Sequence, residues 1–158
     1  MFLEVTNIEK SYGEGGSFTR VLRGVSLSVE NGDMCVIQGA SGSGKSTLLN
    51  GIGGLDIMDS GSIRVEGKEI CGLPQEKLSD YRREKLGFVF QFYNLVPNLT
   101  VKENIQVCEY LSGHPMNLAE LLDTLKLTEH RNKFPFQLSG GQQQRCAIAR
   151  ALINNPGL

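Results

Sequence analysis

The spacing of apolar residues predicts β-strands in the first part of the chain. Residues 2–6 alternate weakly between apolar and polar positions, and residues 21–29 place mostly apolar side chains on one parity. Such alternation is typical of a strand with one buried face. Residues 34–37 are continuously apolar, as in a strand buried on both faces. Two further short strands are predicted at residues 63–65 and 86–90.

Helical patterns dominate the second part of the chain. Thr100 and Glu103 stand at the spacing of a capping box, in which each residue satisfies the other's backbone amide, and they open a helix that runs to about residue 111. Asn117 and Glu120 repeat this spacing. The last predicted helix covers residues 142–153. One apolar stripe at helical spacing is formed by Leu118, Leu121, Leu122 and Leu125.

Helices are also predicted among the strands of the first part, at residues 46–52 and 75–85. A glycine-rich break at residues 11–16 separates the first two strands. Strands that alternate with helices predict an α/β sheet. From Tyr93 onward, by contrast, the chain is expected to be helical.

Composition and charge narrow the classes of function. The 158 residues are 40% hydrophobic and 21% charged, with a formal net charge of −1. This near-neutral charge gives no general attraction to nucleic acid or to an anionic membrane, so no nucleic-acid partner is expected. No apolar run is long enough to cross a bilayer, and no secretory signal is visible. None of the four cysteines forms a C-x-x-C pair, and Cys35 and Cys146 are expected to pack as small apolar residues.

A glycine-rich loop after residue 37 fits the phosphate-binding pattern G-x-x-x-x-G-K-[ST] at every fixed position. Glycines let backbone N–H groups curl around a phosphate without clashes from Cβ atoms. A helix starting near Lys45 directs its unsatisfied amides at the same anion. Lys45 adds a charge for the β- and γ-phosphate oxygens, and the Ser46 hydroxyl is a hard ligand suited to Mg²⁺. The predicted nucleotide-binding residues of this loop are Gly39, Ser41, Gly42, Ser43, Gly44, Lys45, Ser46 and Thr47.

The alternative for this loop is a glycine-rich turn that happens to precede a helix. From average residue usage, a chance match in a chain of this size is on the order of one in a hundred. A buried strand is predicted before the loop and a helix after it, so nucleotide binding is the favoured interpretation.

A second helix start also suits an anion. Ser139 and Gln142 stand at capping-box spacing, so a well-capped helix alone explains part of the pattern. Gly140 and Gly141 lower the stability of the helix, so their presence favours a helix start whose backbone a partner must approach closely. Together with the phosphate loop, this pair favours a second cluster of amides that faces phosphate.

The motifs together resemble the ATP-binding cassette family of transporter subunits. The segment 138–145, Leu-Ser-Gly-Gly-Gln-Gln-Gln-Arg, is similar to the signature sequence of that family, and the similarity extends over essentially the whole chain. The resemblance implies a P-loop NTPase core of α/β type, mostly parallel with an antiparallel edge, and an inserted α-helical subdomain. The core is expected over residues 1–91 and the helical subdomain over residues 92–158.

The resemblance implies roles for further residues. Tyr12 occupies the position of an aromatic residue that stacks on adenine, although a plain strand-end tyrosine is an equal alternative without the family. Gln91 matches the glutamine that contacts Mg²⁺ and the attacking water; the alternative is a polar strand cap. Ser139, Gly140, Gly141 and Gln142 would meet the γ-phosphate that a second ATP-binding subunit holds, in a head-to-tail dimer.

The loop at residues 91–104 is similar to that of lipoprotein-release and macrolide- or peptide-export subunits. A transmembrane permease is therefore the expected partner, and the expected location is the cytoplasmic face of the membrane, bound peripherally and without insertion. Two alternatives stay open: a nucleotide-switched module that binds ribosomes or DNA, and an inactive fragment that only binds nucleotide.

The family's next elements are missing from these 158 residues. They are a strand ending in Asp-Glu, which positions Mg²⁺ and the attacking water, and a later histidine. We therefore expect an incomplete cassette, with an unpaired apolar edge at residues 34–37, poor solubility and no sustained ATP turnover by itself. His114 and His130 lack the context of the missing histidine and are expected to be solvated surface residues.

Overall fold

A computed structural model describes residues 1–13 and 17–158, so the last three positions of the predicted break at residues 11–16 lie outside the described residues. The chain forms two compact units, an N-terminal unit (Met1–Leu78) and a C-terminal unit (Ser79–Leu158). The domain boundary expected at residue 91 stays a prediction.

The N-terminal unit is built on a four-stranded antiparallel sheet in the order β2-β1-β3-β4. Its strands are β1 (Leu3–Tyr12), β2 (Thr19–Val29), β3 (Ser60–Val65) and β4 (Lys68–Glu69). Leu3 lies opposite Val29 on one side and Val65 on the other. The strands predicted at residues 2–6, 21–29 and 63–65 are confirmed, and β1 is longer than the weak alternation indicated because it pairs on both sides.

The core of the N-terminal unit follows from the alternation of these strands. Leu3 and Val5 are buried while Glu4 between them is exposed, as the pleat of a strand requires. Helix α1 (Lys45–Ile52) buries Leu48 and Ile52. The buried apolar side chains of this unit include Leu3, Val5, Ile8, Leu22, Val29, Leu48, Ile52, Ile63, Val65 and Ile70.

Two predicted strands do not form. Residues 34–37 and 86–90 are irregular. Met34 is 92% exposed and Val36 69% exposed, and Cys35 is exposed rather than packed. A buried parallel strand needs a neighbour for its backbone groups, and no strand ladder among the described residues reaches either segment. The parallel part of the expected sheet is therefore absent from the described residues.

The C-terminal unit is helical, as expected. Its helices are α3 (Val101–Glu109), α4 (Leu118–Thr124) and α5 (Gly140–Leu152). Short 3₁₀ turns lie at Thr128–His130 and Pro135–Gln137. Helix α2 (Gln75–Lys85) begins before the boundary between the two units and ends after it. The buried core of the C-terminal unit consists of Val101, Ile105, Leu121, Leu122, Leu127, Leu138, Cys146, Ala149 and Ile153.

Local caps define where these helices begin. Thr100 and Glu103 form the predicted capping box, with the Thr100 N–H donating to Glu103 Oε2 at 2.8 Å. Asn117 caps α4 with its side-chain oxygen, without the reciprocal bond expected from Glu120. Asn104 is buried but satisfied, because its amide bonds the backbone of residues 96–100 and fixes that loop. Every helix among the described residues is too short or too polar to span a bilayer.

Candidate nucleotide-binding site

The phosphate loop leads directly into α1, as the sequence predicted. Gly44 is the N-cap of this helix and has a φ of 92°, a left-handed conformation that favours glycine. A Cβ atom at Gly44 would lie 2.9 Å from Leu22 Cδ2 and 3.0 Å from Val21 Cγ1. Gly42 also has a positive φ, of 78°. Two of the motif glycines are thus required by the backbone itself.

The start of α1 leaves its donors available to a ligand. Gly44 offers no side-chain cap, and the first turn contains no acidic residue. The N–H groups of the first turn of a helix have no partner within the helix, so an anion can accept from them here. Ser46, at the second position of α1, is exposed at the same end. The segment therefore has the donors and the dipole direction that a phosphate group requires.

The Lys45 ammonium group lies across the loop that precedes it. Its Nζ atom is 2.9 Å from the Gly39 carbonyl oxygen and 2.7 Å from that of Ala40. No carboxylate pairs with Lys45 among residues 1–13 and 17–158. Neutral acceptors orient this side chain without cancelling its charge, so the charge stays available for an anion at the mouth of the loop.

Tyr12 ends strand β1 and is held by several groups of the same unit. Its hydroxyl donates to the carboxylate of Asp56. The Lys10 ammonium lies 5.0 Å from the centre of the Tyr12 ring. The structure therefore connects Tyr12, through Asp56, to the segment that follows α1.

The contacts of Tyr12 and Asp56 shift the titration of both groups. The hydrogen bond to Asp56 raises the pKa of Tyr12, because loss of the phenol proton would set two negative charges side by side. Partial burial acts to raise the pKa of Asp56, but hydrogen bonds from Tyr12 and Lys10 outweigh it and hold that pKa below its usual value. Asp56 is thus a charged acceptor at neutral pH, and nothing in the sequence pattern singled it out.

The second predicted anion-facing segment opens α5 in the C-terminal unit. Ser139 and Gln142 form the predicted capping box: Ser139 N–H donates to Gln142 Oε1 at 2.9 Å, and Gln142 N–H donates to Ser139 Oγ at 3.3 Å. The helix starts at Gly140, two residues earlier than predicted. Neither Gly140 nor Gly141 has a positive φ, and a Cβ atom at Gly140 would meet no atom within 4 Å. The local backbone conformation does not require glycine at these two positions. The effect of the glycines is to leave the backbone at the start of α5 uncovered by side chains.

His130 contacts the signature segment, contrary to the expectation of a solvated surface residue. Its Nε2 atom is 3.0 Å from Gln142 Nε2. Because the oxygen of the Gln142 amide already accepts from Ser139, its NH₂ group donates and His130 Nε2 accepts. His130 Nδ1 is buried without a partner. His114 is exposed, as predicted. The His130 contact arises where a 3₁₀ turn meets a helix, and no motif marks it in the sequence.

Gln91 lies in the C-terminal unit, in an exposed turn after the irregular residues 86–90. It does not end a strand, which corrects the strand-cap interpretation. The loop that follows is tied to α5, because Arg150 donates to the carbonyl oxygens of Tyr93 and Asn94, both at 2.7 Å. Tyr93 and Asn94 have φ angles of 60° and 46°, so the loop keeps an unusual backbone conformation at the point that Arg150 holds.

Comparison with known proteins gives a consistent result. The sequence profile of the ABC transporter family matches residues 22–158. The chain is 46% identical to the macrolide export ATP-binding/permease protein MacB of Shigella flexneri, over 96% of this chain and 24% of that protein. It is 43% identical to the bacitracin export ATP-binding protein BceA of Halalkalibacterium halodurans, over 99% of this chain and 64% of that protein. It is 39% identical to the lipoprotein-releasing system ATP-binding protein LolD of Porphyromonas gingivalis, over 100% of this chain and 73% of that protein.

Solved structures show the same relationship. The chain is similar to the dimeric ABC transporter cassette MJ0796, with a TM-score of 0.88 and 40% identity over 98% of this chain and 70% of that one. A second structure of MJ0796, in a post-hydrolysis state bound to ADP and Pi, matches equally well. The predicted fold class, the P-loop NTPase fold of a cassette, is confirmed by this similarity.

Proposed function

Because this chain belongs to the ABC transporter family, we propose that it binds ATP with Mg²⁺ and, in its whole protein, hydrolyses ATP to energise a membrane transporter. The observation that carries the proposal is the start of α1. There, backbone amides without a side-chain cap meet the charge of Lys45, which forms no ion pair within the described part of the chain. A triphosphate is the ligand that this combination fits best, since it offers several negative oxygens within a few ångströms.

Different residues are proposed to contact the phosphates and the adenine of ATP. The backbone of the loop surrounds the β-phosphate, and Lys45 reaches the β- and γ-phosphate oxygens. Tyr12 provides a flat apolar surface for adenine. The residues proposed to contact the phosphates of the same nucleotide are Gly39, Ser41, Gly42, Ser43, Gly44, Lys45, Ser46 and Thr47.

Mg²⁺ fits this site as a companion of the nucleotide. Among the described residues, no three His, Cys, Asp or Glu side chains cluster in a way that could hold a metal ion. Mg²⁺ is commonly bound by one or two protein ligands together with substrate phosphates. The exposed hydroxyl of Ser46 and the amide oxygen of Gln91 are the proposed protein ligands. When bound, the ion neutralises charge that develops on the phosphate oxygens.

The proposed contribution of the chain to hydrolysis is positioning and charge stabilisation. Lys45 and the loop amides hold the terminal phosphates in one orientation, and Gln91 orients the attacking water. Ser139, Gly140, Gly141 and Gln142 act on the nucleotide of a second ATP-binding subunit. The open backbone at Gly140 and the dimeric state of the cassette MJ0796 support this arrangement.

The relatives support a proposal about the partners of this chain. The MacB protein is an ATP-binding/permease protein, and BceA and LolD belong to an export and a lipoprotein-releasing system. We therefore propose a transmembrane permease as partner, an exporter of the macrolide, peptide or lipoprotein-release type, and a peripheral position at the cytoplasmic face of the membrane. The similarity to export proteins favours this function over a ribosome- or DNA-bound module.

The proposal is tested by ATP binding to the purified protein in the presence of Mg²⁺. Replacing Lys45 by alanine removes a charge-assisted contact, so ATP affinity should fall about 10- to 100-fold. Isothermal titration calorimetry measures the change. Lys68→Ala, which removes an exposed lysine from β4, is the matched control and should leave affinity unchanged. Equal ATP affinity in the parent protein and in Lys45→Ala would contradict the proposed function.

A further inference from the structure

We propose that Asp56 and Lys10 are positioning residues that hold the ring of Tyr12 in place as the surface on which the base of the nucleotide stacks. This inference rests on the proposed function and assigns roles to two residues outside the phosphate loop. The ring is fixed at its hydroxyl and along one side, while 43% of Tyr12 stays exposed. Those three features are what a base-stacking surface needs.

The tip of the ring is the first fixed point. The Tyr12 hydroxyl donates to one carboxylate oxygen of Asp56. Backbone pairing with Thr19 fixes Tyr12 at its other end. A terminal strand residue without such a contact would rotate about its side-chain bonds, so the hydroxyl contact fixes where the long axis of the ring lies.

Lys10 supplies the second fixed point. It stands two residues before Tyr12 on β1, so both side chains leave the strand on the same face. The Lys10 side chain is only 12% exposed, and its Nζ atom is 5.0 Å from the ring centre. A cation held beside an aromatic face is attracted by the ring, and it restricts the ring's rotation.

Asp56 connects these two contacts. Its second carboxylate oxygen is 3.2 Å from Lys10 Nζ, so one carboxylate bonds both the phenol and the ammonium. Lys10 also donates to the Ile57 carbonyl oxygen at 2.6 Å and lies 3.7 Å from Asp59. A nearly buried ammonium group needs such partners, because its desolvation is otherwise uncompensated.

The backbone around Asp56 is itself fastened. The N–H groups of Leu55 and Asp56 donate to the Asn50 carbonyl oxygen near the end of α1, at 2.8 Å and 3.3 Å. The Ser11 N–H donates to Asp59 Oδ2 at 2.7 Å, which ties the same segment to β1. Hydrogen bonds to α1 and to β1 thus fix the segment that carries Asp56. Its carboxylate therefore gives the Tyr12 hydroxyl an acceptor at a fixed position.

The competing explanation is that the cluster only fastens the segment after α1 to the sheet. The two explanations differ in which ligands lose affinity when the cluster is disrupted. A fastening role affects the whole site, whereas a positioning role affects only ligands that carry a base. ATP and inorganic tripolyphosphate share the phosphate chain and differ in the base and ribose, so the pair separates the explanations.

The test measures the affinity of the purified protein for ATP and for tripolyphosphate, each with Mg²⁺. Asp56→Ala should weaken ATP binding about 3- to 10-fold, because the ring must then be ordered when the base binds. Tyr12→Phe keeps the ring but removes the hydroxyl, preserves the fold more safely, and should have the same effect. The double variant should lose no more than Asp56→Ala alone, since Asp56→Ala already removes the contact that Tyr12→Phe removes. Tripolyphosphate affinity should not change.

Control variants make the result decisive. Glu4→Gln removes an exposed carboxylate from the same strand β1 and should leave both affinities unchanged. Lys45→Ala should lower the affinity for both ligands. If it lowers neither, the proposed function fails, and the positioning role fails with it. If Lys45→Ala acts as expected but Asp56→Ala and Tyr12→Phe leave ATP affinity unchanged, or weaken both ligands equally, the positioning role alone is overturned.

Discussion

The starts of α1 and α5 both offer backbone amides to an anion, but they are built differently. Gly44 gives α1 no side-chain cap, adopts a left-handed backbone and is closely surrounded by Val21 and Leu22. Ser139 gives α5 a complete capping box, followed by glycines in helical conformation with open space around Gly140. The first start leaves its amides without a side-chain acceptor, whereas the second satisfies the amides of Ser139 and Gln142 by its own side chains. This difference supports the proposal of a primary binding loop in one unit and an accessory surface in the other.

The largest effect is expected from Gly44→Ala. The new Cβ would force a left-handed alanine and crowd Leu22 Cδ2 at 2.9 Å, so we expect a loss of about 2 to 4 kcal/mol of unfolding free energy together with ATP binding. Urea denaturation measures the change. Gly42→Ala is the matched control, since Gly42 has a φ of 78° but no atom within 4 Å of its Cβ position. It should cost only the backbone strain, and an equal loss in both variants would refute the role of crowding.

A smaller effect is expected from Ser139→Ala. It removes the side-chain acceptor for the Gln142 amide, so the unfolding free energy should fall by about 1 kcal/mol. Thermal unfolding followed by circular dichroism measures this loss. Thr100→Ala removes the equivalent cap of α3 and is the control. Both variants should lose similar stability, but only Ser139→Ala should reduce ATP turnover by the assembled transporter. Equal turnover in the two variants would show that Ser139 serves only as a helix cap.

The smallest effect on stability is expected from Gly140→Ala, and its sign is opposite. Alanine fits the helical backbone and open surroundings of Gly140, so the unfolding free energy should rise by about 0.5 to 1 kcal/mol. The methyl group should nevertheless reduce ATP turnover by the assembled transporter, because it obstructs approach to the helix start. Gln144→Ala, at an exposed position of α5, is the control and should keep turnover unchanged. A Gly140→Ala protein with full turnover would argue against an open backbone as the reason for this glycine.

Elements that depend on neighbours in sequence were predicted well. The capping boxes at Thr100 and Ser139 formed as expected because each is closed within four residues. Residues 34–37 and 86–90 were wrongly predicted as strands, since a strand needs partners that a local run of apolar residues does not reveal. The role of Asp56 could not be predicted for a similar reason, because its contact with Tyr12 joins positions 44 residues apart. The phosphate loop and α1 were predictable, whereas the side chains that orient Tyr12 were not.

Arg150 has a mechanical consequence for the loop after Gln91. Its guanidinium donates hydrogen bonds to two consecutive carbonyl oxygens, those of Tyr93 and Asn94. Arg150 lies near the C-terminal end of α5, and Ser139 caps the other end of this helix. Each such charge-assisted bond contributes about 1.5 to 3 kcal/mol, so a tilt of α5 either carries the loop along or breaks both bonds. Because a helix is stiff along its axis, we expect a displacement of α5 at its Ser139 end to move this loop as well.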